Sequence, residues 1–323
     1  MLESGFWLGI DVGSSRQKVA TFCAIDSTGD SRSAVRVDFE QGPAGSDYPA
    51  INTRGTMLDT SRETYLKAGV EAAIAGVLQS SKLVERARDC LASGLPVSVA
   101  IDAPVYFSLD GRQRVTERAS SPTFTTPTRE IFERDLVEKE KEGFFRSVVY
   151  WKCVGFAVYR QIAALLTGAP APSLRTLAAW TADREKDRGW RLREVFPSDV
   201  YKRANGIDGV LSDAPRHVLA QLLAAPWQAA TEDAVRSTST LKRLRRRRDD
   251  LARELEKDER LQSFEKAAGT FGDLFDAFTA AYAACCEDHD GAVMHGASEP
   301  EALRREGAIL TVAMRVEPRD RLS

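Results

Sequence analysis

Hydrophobic and polar positions first alternate with a period of two between Trp7 and Ala24 (WLGIDVGSSRQKVATFCA). An apolar run leads into Asp11, two small polar residues follow at Ser14 and Ser15, and Val19, Thr21 and Cys23 lead away. Successive side chains of a strand point to opposite faces, so this pattern predicts a hairpin of two strands. Gly13 is expected at its turn, where a residue without a Cβ has the needed freedom. Asp11 then falls near the end of a buried strand. A third strand is expected over 34–39 (AVRVDF), beyond a turn cluster at 26–30, and residues 41–61 read as loop. Val97 to Ile101 (VSVAI) is a short buried strand that runs into Asp102-Ala103-Pro104. Pro104 has no N–H to donate and stops further pairing. Trp190 to Phe196 alternates again, with Glu194 near its end and Pro197 behind it, and Gly307 to Met314 is a final apolar extended segment.

Between these stretches the period changes to that of a helix. Leu66, Val70, Ala73, Ile74 and Val77 form a stripe that predicts a helix over 60–80, continuing to Leu91 and ended by Gly94. Further helices are expected over 128–141, with Ile131, Phe132, Leu136 and Val137 inward, over 151–166, over 174–181 and over 215–225, with another beginning at 199–203. Residues 108–127 read as polar and irregular. Phe271 to Cys286 (FGDLFDAFTAAYAACC) is an apolar helix with small residues suited to close helix–sheet packing. Asp is a weak helix former, so Asp276 in this setting has two readings. It is either an acid favoured near the helix N-terminus or a carboxylate aimed at a metal. Strands alternating with helices give an α/β fold, read as a single domain over 1–323 with helical insertions.

Composition narrows the picture at a few points. The chain has 323 residues, 43% hydrophobic and 28% charged, which fits a globular protein. No apolar run approaches the roughly 18 residues of a membrane span, and no signal peptide is expected. Five scattered cysteines without a C-x-x-C pair argue against a disulfide framework or structural zinc, so the expected setting is a reducing cytoplasm. The net charge of −2 means that any nucleic-acid site is a local patch. Such a patch is conspicuous at 237–264, where leucines recur at helical spacing and Lys242 to Arg248 holds six basic residues. This segment reads as a charged helical insertion or arm, in which alternating acids and bases explain most of the pattern.

Four acids carry the candidate chemistry. Asp11, Asp102 and Glu194 end apolar strands, and Asp276 lies within an apolar helix. A carboxylate in such a place is costly unless it is paired or binds a cation. Acids brought together from distant segments make a site for Mg²⁺ or Mn²⁺, which take oxygen ligands and serve phosphodiester hydrolysis. Arg112, Arg114 and Arg118 are the local candidates for phosphate contacts, with a solvated loop as the plain alternative. The three histidines have no spacing that suggests a zinc hydrolase, and no nucleophilic triad stands out.

Five motifs in order give a resemblance: GIDVGSSRQKVATF at 9–22, VAIDAPVYF and the arginines behind it at 99–118, EVFPSDVYK at 194–202, DLFDAFTAAYAA at 273–284 and REGAILTV at 305–312. Together they resemble the domain-of-unknown-function 429 family, predicted nucleases of the ribonuclease-H-like superfamily. The resemblance implies a mixed sheet flanked by helices and places Asp11, Asp102 and Asp276 at the family's acidic positions, with Glu194 in its Glu-x-x-Pro pattern. The basic arm lies outside that pattern, and Ala308 stands where it has an aromatic. The function expected is a metal-dependent nuclease acting on DNA or RNA. Asp11, Asp102 and Asp276 would be metal ligands, Glu194 would complete the catalytic set, and Arg112, Arg114, Arg118, Ser14 and Ser15 would contact substrate. Two alternatives stand beside it. One is an ATP-dependent small-molecule kinase or ATPase of the sugar-kinase and actin-like group, whose first phosphate loop Asp11-x-Gly13-Ser14-Ser15 resembles. The other is a non-catalytic binding protein on the same fold.

Overall fold

Strand β1 (Phe6–Ser15) pairs antiparallel with β2 (Lys18–Asp26), with Asp11 opposite Thr21. The structure, a computed structural model, describes residues 4–15, 18–28, 36–41, 59, 63–109, 112–120, 125–141, 148–183, 189–197, 199–200, 271–288, 292–295 and 298–312. Gly13 is not the turn expected of it. β1 runs on to Ser15, and the pairing changes register between Val12 and Ser15, so that Gly13 and Ser14 form the long side of a bulge.

Among the described residues five more strands join the sheet: β3 (Arg36–Gln41), β4 (Val97–Asp102), β5 (Trp190–Val195), β6 (Ala292–Met294) and β7 (Ile309–Val312). Their order is β3-β2-β1-β4-β5-β7-β6. β1, β4, β5 and β7 run parallel, while β2, β3 and β6 run antiparallel to their neighbours. A parallel neighbour requires a crossover, and helices supply it. These are α1 (Ala68–Ser80), α2 (Lys82–Ala92), α3 (Val115–Ser120), α4 (Arg129–Lys141), α5 (Val148–Thr167), α6 (Leu174–Ala182), α7 (Phe271–Asp288) and α8 (Pro300–Glu306).

The alternation along β1 sorts the two cores. Phe6, Leu8, Ile10 and Val12 join Val99, Ile101 and Leu192 beneath α1, α2, α5 and α6. Trp7 joins Ala100, Val195 and the small-residue face of α7 on the other side. Gly9 lies on that second face, and α7 crosses it so closely that a Cβ would stand 1.9 Å from the Ala277 carbonyl oxygen. The far end of α7 is pinned as well. Asp288 accepts from the Trp7 indole at 2.6 Å and pairs with Arg191, and Glu287 pairs with Arg193 at 2.8 Å.

The single long helix expected over 60–91 is two helices. Ser81 has extended backbone and its hydroxyl accepts from the Val84 N–H, so it caps α2 at the place where α1 stops. Glu40 on β3 reinforces the break by accepting from the Ser81 hydroxyl and the Lys82 and Leu83 N–H groups. Upstream, Tyr65 adopts a left-handed φ of 58°, which a helix cannot contain, so α1 begins only at Ala68. The short α3 and α8 and the edge strand β6 carry too little periodicity to be read from sequence. The expected helices at 199–203 and 215–225 extend into or fall on residues outside those described, as does the basic arm at 237–264. No helix among the described residues is long and apolar enough to cross a membrane.

Candidate metal site

Asp11 follows Trp7 and Gly9 at period two, so it stands on the face of β1 that meets α7. Its partner in the parallel register is Asp102, the last residue of β4. Adjacent strands are about 4.8 Å apart and opposite residues share a face, so the pairing alone sets the two carboxylates side by side. Asp276 arrives from the other layer. It precedes Ala277, whose carbonyl rests against Gly9, and the absence of a Cβ at Gly9 lets α7 come down onto the sheet. Carboxylate oxygens of Asp11, Asp102 and Asp276 all lie within 4.8 Å of one another. Asp11 is buried, while Asp102 and Asp276 are half-buried, so the group is rooted in the core and reachable from solvent.

The donor set fits a hard divalent cation. All three groups are carboxylates, and Mg²⁺ binds such oxygens at about 2.1 Å, which places ligands of one ion about 3–4 Å apart. Like charges this close raise one another's energy, and a bound cation relieves it. Among the described residues this is the one such group.

Glu194 does not belong to it. In the parallel register Glu194 pairs with Ile101, not with Asp102, so it projects toward the α5 and α6 side of the sheet. There it is 3% exposed, accepts two hydrogen bonds from Arg114 and takes the Val105 N–H at 3.1 Å. Burial pushes its carboxyl above the ordinary range, against the pull of Arg114. The expectation that Glu194 completes the metal site is therefore corrected: a residue one position out of phase lies on the wrong face.

Arg114 is corrected with it. Its side chain is 0% exposed and cannot meet a phosphate. It bridges Glu194 and Glu117 and donates to the Glu306 carbonyl at 3.0 Å. Burial disfavours the cation, but Glu194 and then Glu117 outweigh this and raise its pKa. Glu117 also accepts from the Thr126 hydroxyl and N–H, so the network ties α3 and Thr126 to β5 and α8. Arg112 and Arg118 are exposed, as a substrate contact requires. Arg118 faces Glu299 at 3.7 Å on a helix that packs against α8 and β7, two strands removed from β4. Ser14 and Ser15 are the last residues of β1, Ser14 within the bulge and Ser15 at its far side.

Sequence reasoning missed two buried polar groups. His295 meets Asp199 through Nε2 and Oδ2 at 2.7 Å, with both side chains buried. Asp199 lies within the 194–202 motif, but nothing in the spacing of the histidines points to its partner. Lys152 on α5 is 5% exposed, and burial lowers its pKa to about 8, partly opposed by Glu117. Its place in an apolar helix stretch was the available signal. No protein-family model, no curated protein and no solved structure matches the chain.

Proposed function

We propose that the protein is a metal-dependent phosphodiesterase of the nuclease type, on a ribonuclease-H-like fold, acting on DNA or RNA. The observation that carries this is the convergence of Asp11 on β1, Asp102 at the end of the adjacent parallel strand β4, and Asp276 on α7, from segments far apart in sequence. Active sites of α/β sheets sit at the carboxyl ends of parallel strands, where loops leave room for a ligand. The mixed sheet flanked by helices agrees with the family resemblance.

Asp11, Asp102 and Asp276 would hold Mg²⁺ or Mn²⁺. Such an ion, when bound, activates water and stabilises the oxygen that leaves phosphorus. The half-buried sides of Asp102 and Asp276 leave the approach for a phosphodiester. Arg112, in the segment that follows Asp102, and Arg118 on α3 are exposed cations and would hold phosphates, with Ser14 and Ser15 at the end of β1 as polar contacts.

The test is cleavage of labelled single- and double-stranded DNA and RNA with Mn²⁺ or Mg²⁺, beside Asp11→Asn and Asp102→Asn, with ATP hydrolysis read in the same tubes. Metal-dependent cleavage lost in both variants supports the reading and names the substrate. ATP turnover without cleavage replaces it with the kinase-like alternative. Absence of both, with no stabilisation by metal, leaves a binding protein.

A further inference from the structure

Helix α5 lies across the sheet from the acids, yet one stripe of it reaches the backbone that carries two of them. Trp151, Gly155 and Tyr159 recur at every fourth residue and so share a face. The Trp151 indole N–H donates to the Val12 carbonyl at 2.9 Å, one residue past Asp11. The Tyr159 hydroxyl donates to the Ala103 carbonyl at 2.9 Å and lies 3.3 Å from the Ile101 carbonyl, on either side of Asp102. The Arg193 carbonyl of β5 stands 3.5 Å from the same hydroxyl. Between the two, Gly155 lets α5 touch the strand exit, since a Cβ there would stand 2.6 Å from that of Ala103.

Tyr159 is fully buried, and its pKa is pushed far above the ordinary value by burial and then by Glu194, so its proton stays in place as a donor. A carbonyl fixed on each side of a strand-end residue fixes the direction of that residue's Cβ. Groups behind metal ligands set ligand orientation in just this indirect way.

We infer that Trp151 and Tyr159 are positioning residues for metal binding: they set the backbone at Asp11 and Asp102 from the opposite face of the sheet. This rests on the reading of the three acids as a metal site. The test is Mn²⁺ affinity, read by titration calorimetry and by the electron paramagnetic resonance of free Mn²⁺, for wild type, Tyr159→Phe and Trp151→Phe. Tyr65→Phe is the control, because it deletes a buried hydroxyl that meets Glu133 on α4 instead of the backbone beside an acid.

Tyr159→Phe is expected to bind Mn²⁺ about tenfold more weakly, in the range found when groups behind metal ligands are removed. Tyr65→Phe is expected to match wild type. Excess Mn²⁺ should restore full occupancy in Tyr159→Phe, which a damaged fold would not allow. Trp151→Phe carries the same comparison from the β1 side, so a poorly folded Tyr159→Phe does not decide the matter. Unchanged affinity in both α5 variants overturns the inference and leaves the metal site standing. Equal weakening in Tyr65→Phe overturns it as a general effect of core damage. A wild-type protein that binds no Mn²⁺ overturns the site itself, and with it the role of α5.

Discussion

Gly9→Ala adds one methyl group at the point where α7 meets β1. Its Cβ would stand 1.9 Å from the Ala277 carbonyl oxygen, 2.4 Å from the Ala281 nitrogen and 3.0 Å from the Ala281 Cβ. The first two are backbone atoms of a helix, so no side-chain rotation can clear them. The helix must retreat by about 1 Å to restore even a tight contact. Overfilling a packed core costs about 1–3 kcal/mol, and a clash with rigid backbone belongs at about 3 kcal/mol. At roughly 2–4 °C per kcal/mol, the melting temperature should fall by about 6–12 °C. Asp276 precedes Ala277, so the same retreat should weaken Mn²⁺ binding by about tenfold. The assays are differential scanning calorimetry and Mn²⁺ titration, with Gly76→Ala as the contrast. A Cβ at Gly76 meets nothing within 4 Å in the middle of α1, so Ala should stabilise there by about 0.5–1 kcal/mol. A Gly9→Ala protein that melts within about 2 °C of wild type would refute the close packing of α7 on β1 and the placement of Asp276 derived from it.

Arg114→Met leaves Glu194 and Glu117 buried without their cation, so chemical denaturation should show a loss of about 3–5 kcal/mol, part of which Arg114→Met/Glu194→Gln regains. Asp102→Asn removes one of three crowded charges. Without metal it should melt slightly higher than wild type, by about 1 kcal/mol, and unlike wild type it should gain nothing from Mn²⁺. Lys152 has its pKa lowered from 10.5 to about 8 by burial, which penalises the folded state wherever the unfolded lysine is protonated. The penalty is complete below pH 8 and fades as pH rises toward 10.5, which amounts to about 3 kcal/mol. The buried thiols, raised by burial, act with the opposite sign over the same range. The effect is therefore read as the difference between wild type and Lys152→Met in urea unfolding at pH 7 and at pH 10. That difference should shrink by most of this amount, and a constant difference would contradict it.

The sequence carried the acid-bearing strands because each places a single aspartate at the end of an apolar run. Neither the β1 hairpin nor VSVAI-Asp102 needs distant information to be recognised, while the register that pairs Asp11 with Asp102 is seen only in the assembled sheet. Asp276 was legible for a different reason: an acid among core residues of a helix is hard to explain by helix formation alone. Glu194 misled because, like Asp102, it follows an apolar strand and has a proline close behind it. Which face it occupies depends on its pairing with Ile101, and register is set by the whole sheet. Arg114 misled because exposure cannot be read from a polar, irregular stretch. Its burial follows from Glu117 three residues on and from Glu194 eighty residues on, and only the nearer partner is visible in sequence. The break at Ser81 is likewise reinforced by a distant partner, Glu40 from an edge strand.

Calorimetric titration of Mn²⁺ into the purified protein and its three single Asp→Asn variants asks whether Asp11, Asp102 and Asp276 hold one cation together. Saturable binding to wild type and its loss in each variant, with the fold retained, is the expected result. Binding that survives all three substitutions would place the metal elsewhere, and a wild-type protein that takes up no Mn²⁺ at millimolar concentration would contradict the account at its root.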